Sequence, residues 1–112
     1  MSGIVLGRAL DLEALQMLPD GLGGFAQTWV TLGTLWAEVI AGTGRDVPGV
    51  EMTLSSVPYR ITVRGAPTGA PSRPRADQRF RDGSRAYRII AVTERDVEGR
   101  YLTCFAREEV PA

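Results

Sequence analysis

The side chains best suited to chemistry are a series of arginines in the second half of the chain. Guanidinium groups bind phosphate or carboxylate oxygens through paired hydrogen bonds, so the series predicts contact with DNA phosphates or with an acidic protein surface. Asp77 and Asp82 interrupt it, and few aromatic side chains suited to base stacking lie nearby, which favours the protein contact. We place Arg79, Arg81 and Arg85 at a subunit or partner interface. The full series is Arg73, Arg75, Arg79, Arg81, Arg85 and Arg88.

Catalytic chemistry has little support in the composition. The chain contains no histidine, the commonest general base and metal ligand. Its one cysteine, Cys104, cannot form an internal disulfide or a zinc site and lies in an apolar run, so we expect it in the core. Acidic residues occur singly or in pairs such as Glu108-Glu109, which predicts a solvated surface. We therefore predict no enzymatic activity, no metal and no cofactor.

Two tryptophans, Trp29 and Trp36, are possible binding platforms. Their positions in apolar runs close to turns favour the core or a subunit contact instead. We assign both to a subunit or partner interface, and we expect Trp36 to be buried.

The elements that position these residues are mainly strands. Residues 59–64 alternate, with Tyr59, Ile61 and Val63 on one face and polar side chains on the other, which indicates a half-buried strand. The same reasoning predicts further strands and a hairpin turn over residues 95–99. Five or six short strands at this spacing predict a small β-barrel or sandwich. The other predicted strands cover residues 25–32, 34–40, 79–81, 87–94 and 101–107.

The segment over residues 8–18 is ambiguous. Its residues are good helix formers, and apolar residues recur at a spacing of four, which favours a helix locally; they are Leu6, Leu10, Ala14 and Leu18. Leu10, Leu12 and Ala14 also fit one face of a strand. We predict a strand that pairs across residues 20–24 with the one starting near Phe25, because tertiary context often overrides propensity.

The bulk composition limits the remaining possibilities. A chain of 112 residues suits a single domain over residues 1–112, and 44% hydrophobic residues suffice for a core. Basic and acidic residues balance at 13 each, so no net field attracts DNA or a membrane. No apolar run approaches the ~20 residues that span a bilayer, and the first residues lack signal-peptide features. We therefore expect action in the cytoplasm or in a particle assembled there, with no membrane partner.

Several motifs, taken in order, resemble the phage head–tail joining proteins, also called head-closure or stopper proteins. The first is Asp20-x-x-Gly23-Gly24 followed by Trp29, and the second is residues 35–39, read Leu-Trp-Ala-Glu-Val. A loop with glycine and arginine follows, and then residues 59–64, similar to the family's strand "HRI-x-[IV]-R" with Tyr59 in place of the histidine. Residues 87–89 and the last strand, running into the Glu108-Glu109 pair, complete the likeness, which covers roughly residues 8–110.

The resemblance implies an all-β fold, a small five- to six-stranded β-barrel with one long projecting loop. It also implies a ring, dodecameric in the family, between a portal or adaptor protein and a tail terminator or tail tube protein. Such a ring retains packaged double-stranded DNA and docks the tail, in a phage or a gene transfer agent assembled in the bacterial cytoplasm. The loop over residues 42–58 would project toward the DNA channel. Its candidate channel residues are Gly42, Gly44, Arg45, Asp46, Glu51 and Met52.

Two other interpretations of the protein's function are possible. The first is a tail terminator or adaptor of the same particle. The second is a cellular β-barrel that binds nucleic acid through its arginines, which would make its binding strongly salt-dependent.

Overall fold

The computed structural model describes residues 3–42 and 57–109, which form six antiparallel strands and no helix. The strands pair in the order β1-β2-β3-β6-β5-β4, and β4 pairs back with β1 to close a barrel. The all-β, six-stranded prediction is confirmed, while the predicted projecting loop lies mostly outside the described residues. The strands are β1 (Arg8–Pro19), β2 (Phe25–Ala41), β3 (Pro58–Arg64), β4 (Arg79–Asp82), β5 (Arg85–Glu94) and β6 (Tyr101–Glu108).

The segment over residues 8–18 is a strand, as predicted, although its propensity alone favours a helix. It forms most of β1 and pairs with β2 along its whole length. Leu10 and Leu12 are buried as expected, whereas Ala14 is only half-buried. Burial of the two leucines against five other strands outweighs the local preference for a helix.

One strand replaces two predicted ones. Residues 25–32 and 34–40 belong to a single 17-residue strand, β2. The pairing with β1 shifts register between Leu12 and Glu13, so Leu32 of β2 is an extra residue in a β-bulge. The bulge breaks the alternation of β2, which is why the sequence pattern reads as two strands.

The core fills the inside of the barrel with alternate residues of every strand. Its largest members include Phe80 and Tyr87, which are fully buried. The rings of Tyr59 and Tyr87 pack edge to face with centroids 5.0 Å apart. Cys104 is buried, as predicted, and burial raises the pKa of its thiol to about 12. The complete cluster is Leu10, Leu12, Ala37, Tyr59, Ile61, Val63, Phe80, Tyr87, Ile89, Leu102, Cys104 and Ala106.

The β1–β2 hairpin extends beyond the barrel. β1 pairs with β4 only from Asp11 to Glu13, and β2 pairs with β3 only from Ala37 to Ala41. Beyond these contacts the two strands pair only with each other among the described residues. We call this two-stranded extension, residues 14–31, the arm.

A tight turn closes the arm at its tip. One carboxylate oxygen of Asp20, Oδ1, accepts hydrogen bonds from the backbone N–H groups of Leu22 (2.8 Å) and Gly24 (3.1 Å). Gly21 and Gly23 have φ angles of 81° and 88°, which side chains with a Cβ rarely adopt. The turn chemistry of this segment therefore follows directly from its sequence.

Candidate interaction surfaces

Most arginines of the series form ion pairs with carboxylates of the same chain. Glu13 lies beside Arg79 in the register of β1 and β4, and Arg81 is the next outward-facing residue of β4. The Nε of Arg79 lies 2.6 Å from Oε1 of Glu13, and the Nε of Arg81 lies 3.2 Å from Oε2. Glu13 is buried beneath the two guanidinium groups, which satisfy its charge.

The same group of side chains fixes the base of the arm. Glu109 accepts hydrogen bonds from Arg79 (3.2 Å) and Arg88 (3.5 Å). The guanidinium carbons of these arginines lie 4.1 and 5.1 Å from the ring centroid of Trp29, which is half-buried. Cation–π contacts of this kind hold the indole in place. We call these residues the arm-base cluster: Glu13, Trp29, Arg79, Arg81, Arg88 and Glu109.

A second charged cluster lies at one mouth of the barrel, where β3 and β5 begin and β6 ends. Arg85 binds Glu108 through two hydrogen bonds, Nε to Oε2 at 2.7 Å and Nη2 to Oε1 at 2.8 Å. The hydroxyl of Tyr59 also donates to Glu108, at 3.3 Å. The Arg85 hydrogen bonds lower the pKa of the Glu108 carboxyl, since they stabilise its charged form. We call Tyr59, Arg85 and Glu108 the mouth cluster.

The expectation that Glu108 and Glu109 form a solvated pair is therefore wrong. Glu108 is buried because it continues the inward-facing series of β6 after Cys104 and Ala106. Glu109 follows it and pairs with arginines of the arm-base cluster. Reading the sequence by itself missed both roles, because the signal lies in the register between distant strands.

The predicted interface arginines thus have structural partners within the chain. Arg79 and Arg81 share Glu13, and Arg85 binds Glu108. These ion pairs connect β4 with β1 and β5 with β6. A role in subunit or partner contact stays a prediction for the parts of these guanidinium groups that are exposed.

Trp36 is 60% exposed, so the expectation of a buried indole is wrong. On β2, Leu35 and Val39 face the core on either side of the fully buried Ala37, and Trp36 points outward. It lines a groove of about 580 Å³ beside β2. We call this the Trp36 groove, and the described residues that line it are Leu6, Thr34, Leu35, Trp36 and Arg64.

The arm is a surface that the sequence analysis did not identify. Its cross-strand pairs Leu15–Trp29 and Pro19–Phe25 place apolar side chains together on one face. Several of its large apolar side chains are exposed, with Phe25 at 65% and Leu22 at 91%. A signal was present: between Glu13 and the end of the arm, the only charged residue is Asp20.

The predicted channel residues lie mostly beyond what the structure describes. Gly44, Arg45, Asp46, Glu51 and Met52 fall within residues 43–56, outside the described ranges. Gly42 is described, and its N–H donates to the carbonyl of Pro58 at 2.7 Å. The two ends of the long connection between β2 and β3 are therefore hydrogen-bonded to each other.

Residues 3–42 and 57–109 contain no group of three or more acidic, cysteine or histidine side chains that could hold a metal ion. In the same ranges no helix is long and apolar enough to cross a membrane.

Comparison with known proteins identifies the family. The family model for phage head completion proteins matches residues 1–109. A chain from the virion of a native gene transfer agent particle has 55% identity and a TM-score of 0.76, covering 95% of this chain and 96% of its own. A protein of Shigella flexneri 2a, solved in solution, has the same fold at 22% identity and a TM-score of 0.67, covering 93% of each chain. No curated protein sequence matches the chain. The chain belongs to the phage head completion protein family.

Proposed function

We propose that this chain forms a ring between the portal or adaptor protein and the tail of a phage-like particle, where it retains packaged DNA and docks the tail. Membership of the head completion family gives it a structural role in completing the head, rather than an enzymatic one. The relative at 55% identity comes from a gene transfer agent virion, which favours a particle of that kind assembled in the bacterial cytoplasm.

The observation that carries the proposal is the hydrogen bond between Gly42 and Pro58 at the base of the long connection. A connection whose ends meet on the barrel cannot serve to span a distance between two strands. Connections of this length without such a purpose are uncommon in compact domains and are usually functional. In a ring, the same connection from every copy would meet around the axis.

The charge distribution supports a role beside DNA rather than tight binding to it. The chain has no net charge, and Arg79, Arg81, Arg85 and Arg88 all pair with carboxylates of the same chain. Neutralised arginines contribute little to phosphate binding. A channel lined by such subunits can close over a duplex and still release it. The same pairing argues against the alternative of a cellular barrel that binds nucleic acid through its arginines.

The connection itself provides the test. Replacing Val47–Ser55 with a short Gly-Ser linker should leave the barrel folded, because shortening a surface loop changes its closure entropy little. Particles that carry this variant should package DNA but lose it, or fail to join tails. The measurements are nuclease-resistant DNA per particle and the fraction of particles with tails in electron micrographs.

Val97→Ser supplies a matched control. Val97 is fully exposed in the turn between β5 and β6, and its replacement also alters a loop of the same barrel. Particles with Val97→Ser should retain DNA and tails like the parent. If the linker variant behaves in the same way as Val97→Ser, channel closure belongs to another protein.

A further inference from the structure

The arm has the features of a surface that is covered in an assembly. Both of its edges lack a neighbouring strand among the described residues, and only Asp20 on it is charged. Exposed edges in soluble proteins are usually protected by charged side chains, prolines or a covering element. A two-stranded hairpin is also only marginally stable by itself. These features favour a partner that covers the part of the arm beyond its base.

The Trp36 groove has the complementary features. Leu6, Leu35 and Trp36 give it apolar walls, and Arg64 is the one charged residue among the described residues that line it. Within residues 3–42 and 57–109, Arg64 makes no ion pair. The arm tip carries the matching pair of groups, the exposed Leu22 and the acidic Asp20.

A single copy cannot bring these two surfaces together. The arm and Trp36 lie on the same continuous strand, β2, with Phe25 and Trp36 eleven residues apart. At about 3.3 Å per residue, the strand holds them roughly 35 Å apart. The arm tip can therefore fill only the groove of a second copy.

We infer that the arm tip of each copy inserts into the Trp36 groove of the next, with Leu22 against Trp36 and Asp20 beside Arg64. This inference rests on the proposed ring and names its subunit contact. Contacts between two different surfaces of identical chains generate a ring when the rotation closes. The geometry at the tip suits this contact, because Asp20 uses Oδ1 for its turn and Oδ2 accepts no bond within the described residues.

Cross-linking between introduced cysteines tests the contact in assembled particles. Leu22→Cys combined with Thr34→Cys, treated with a short bis-maleimide, should give a ladder of covalent multimers, because each copy then joins two neighbours. Thr34 lines the groove beside Trp36 and leaves the indole in place. Both positions are exposed, so neither change should prevent folding. The native Cys104 should not react, because burial raises the pKa of its thiol to about 12.

The matched control is Leu22→Cys combined with Val97→Cys, since Val97 is also exposed but lies in another loop. This pair should give no ladder, and each single variant should stay monomeric on a denaturing gel. Covalent dimers from Leu22→Cys alone would show that arms pair with arms, and would overturn the inference. Rings in micrographs without a ladder from the Leu22–Thr34 pair would also overturn it and leave the proposed function intact. Parent particles without any such ring would refute the proposed function and the inference together.

The charge pair gives a second test. Arg64→Gln should weaken self-association about tenfold, and Asp20→Asn should do the same while keeping the oxygen that accepts the turn hydrogen bonds. The double variant should lose little more than either single variant, because both remove one interaction. Fully additive losses would contradict the pairing of Asp20 with Arg64.

Discussion

The barrel and the arm differ in how their apolar side chains are buried and their strand edges are paired. In the barrel, apolar groups face a closed interior, and buried carboxylates such as Glu13 and Glu108 have arginine partners in the same chain. In the arm, the strands have open edges and apolar side chains such as Phe25 face solvent. The difference supports the proposal that another chain covers the arm, whereas the barrel buries its own apolar groups.

Replacing one phenylalanine by alanine in each region should show the largest difference in stability between them. Phe80→Ala removes a fully buried ring and should cost about 3–5 kcal/mol of unfolding free energy, a large part of what a small domain has. Phe25→Ala removes an exposed ring of the arm and should cost less than about 1 kcal/mol. Urea unfolding followed by circular dichroism measures both. Equal losses would mean that the arm packs as tightly as the core.

The junction between the two regions should be the next most sensitive. Glu13→Gln leaves Arg79 and Arg81 without a buried counter-charge and should cost about 2–3 kcal/mol. The fluorescence of Trp29 should also change, because Arg79, which lies over the indole, keeps only Glu109 as a charged partner. Glu98→Gln, which breaks an exposed pair with Arg100, should change the stability by less than about 0.5 kcal/mol. If both variants melt alike, the arm-base cluster contributes nothing to folding.

The mouth cluster should make part of the barrel's stability depend on pH. The Glu108 pKa is lower in the folded chain than its unfolded value of about 4.3, so its stabilising effect is complete above that value. The effect is lost as the pH falls through the folded pKa. Glu108→Gln should lower stability by about 1 kcal/mol at pH 7, and the difference from the parent should shrink below about pH 4. Melting temperatures at several pH values test this; a difference that is independent of pH would contradict it.

Trp36→Ala should have the smallest effect on the monomer and a large one on assembly. Trp36 is mostly exposed, so its loss should change the unfolding free energy within about 0.5 kcal/mol. The variant should nevertheless lose ring contacts, because it empties the proposed docking groove. Thermal melting and electron microscopy of particles provide the two measurements. A marked drop in melting temperature with normal particles would reverse this interpretation.

The strands were predictable where alternation has one clear apolar face. Residues 59–64 show such a face, and β3 occupies Pro58–Arg64. In residues 34–40, both faces carry large apolar side chains, so the pattern could not decide whether Trp36 or Leu35 points inward. In the barrel, Leu35 faces the core. Ala37, two residues further along the same face of β2, pairs with the β3 core residue Val63.

The charged clusters could not be predicted from local sequence. Glu13 and Arg79 are 66 residues apart and meet only because the barrel closes between β1 and β4. The family resemblance supplied the barrel and its role, but not the register that pairs these groups. Without that register, nothing in the sequence indicates that these arginines pair within the chain. This is why they are predicted as unpaired interface groups.

Glu108 and Glu109 are neighbours in sequence, yet one belongs to the mouth cluster and the other to the arm-base cluster. Their separate roles depend on the two-residue repeat of β6, in which a shift by one position turns every side chain to the opposite face. Inserting or deleting one residue in β6 would therefore exchange the directions of both carboxylates at once. Relatives of different length should for this reason vary in the turns around β6 and keep the strand itself at constant length.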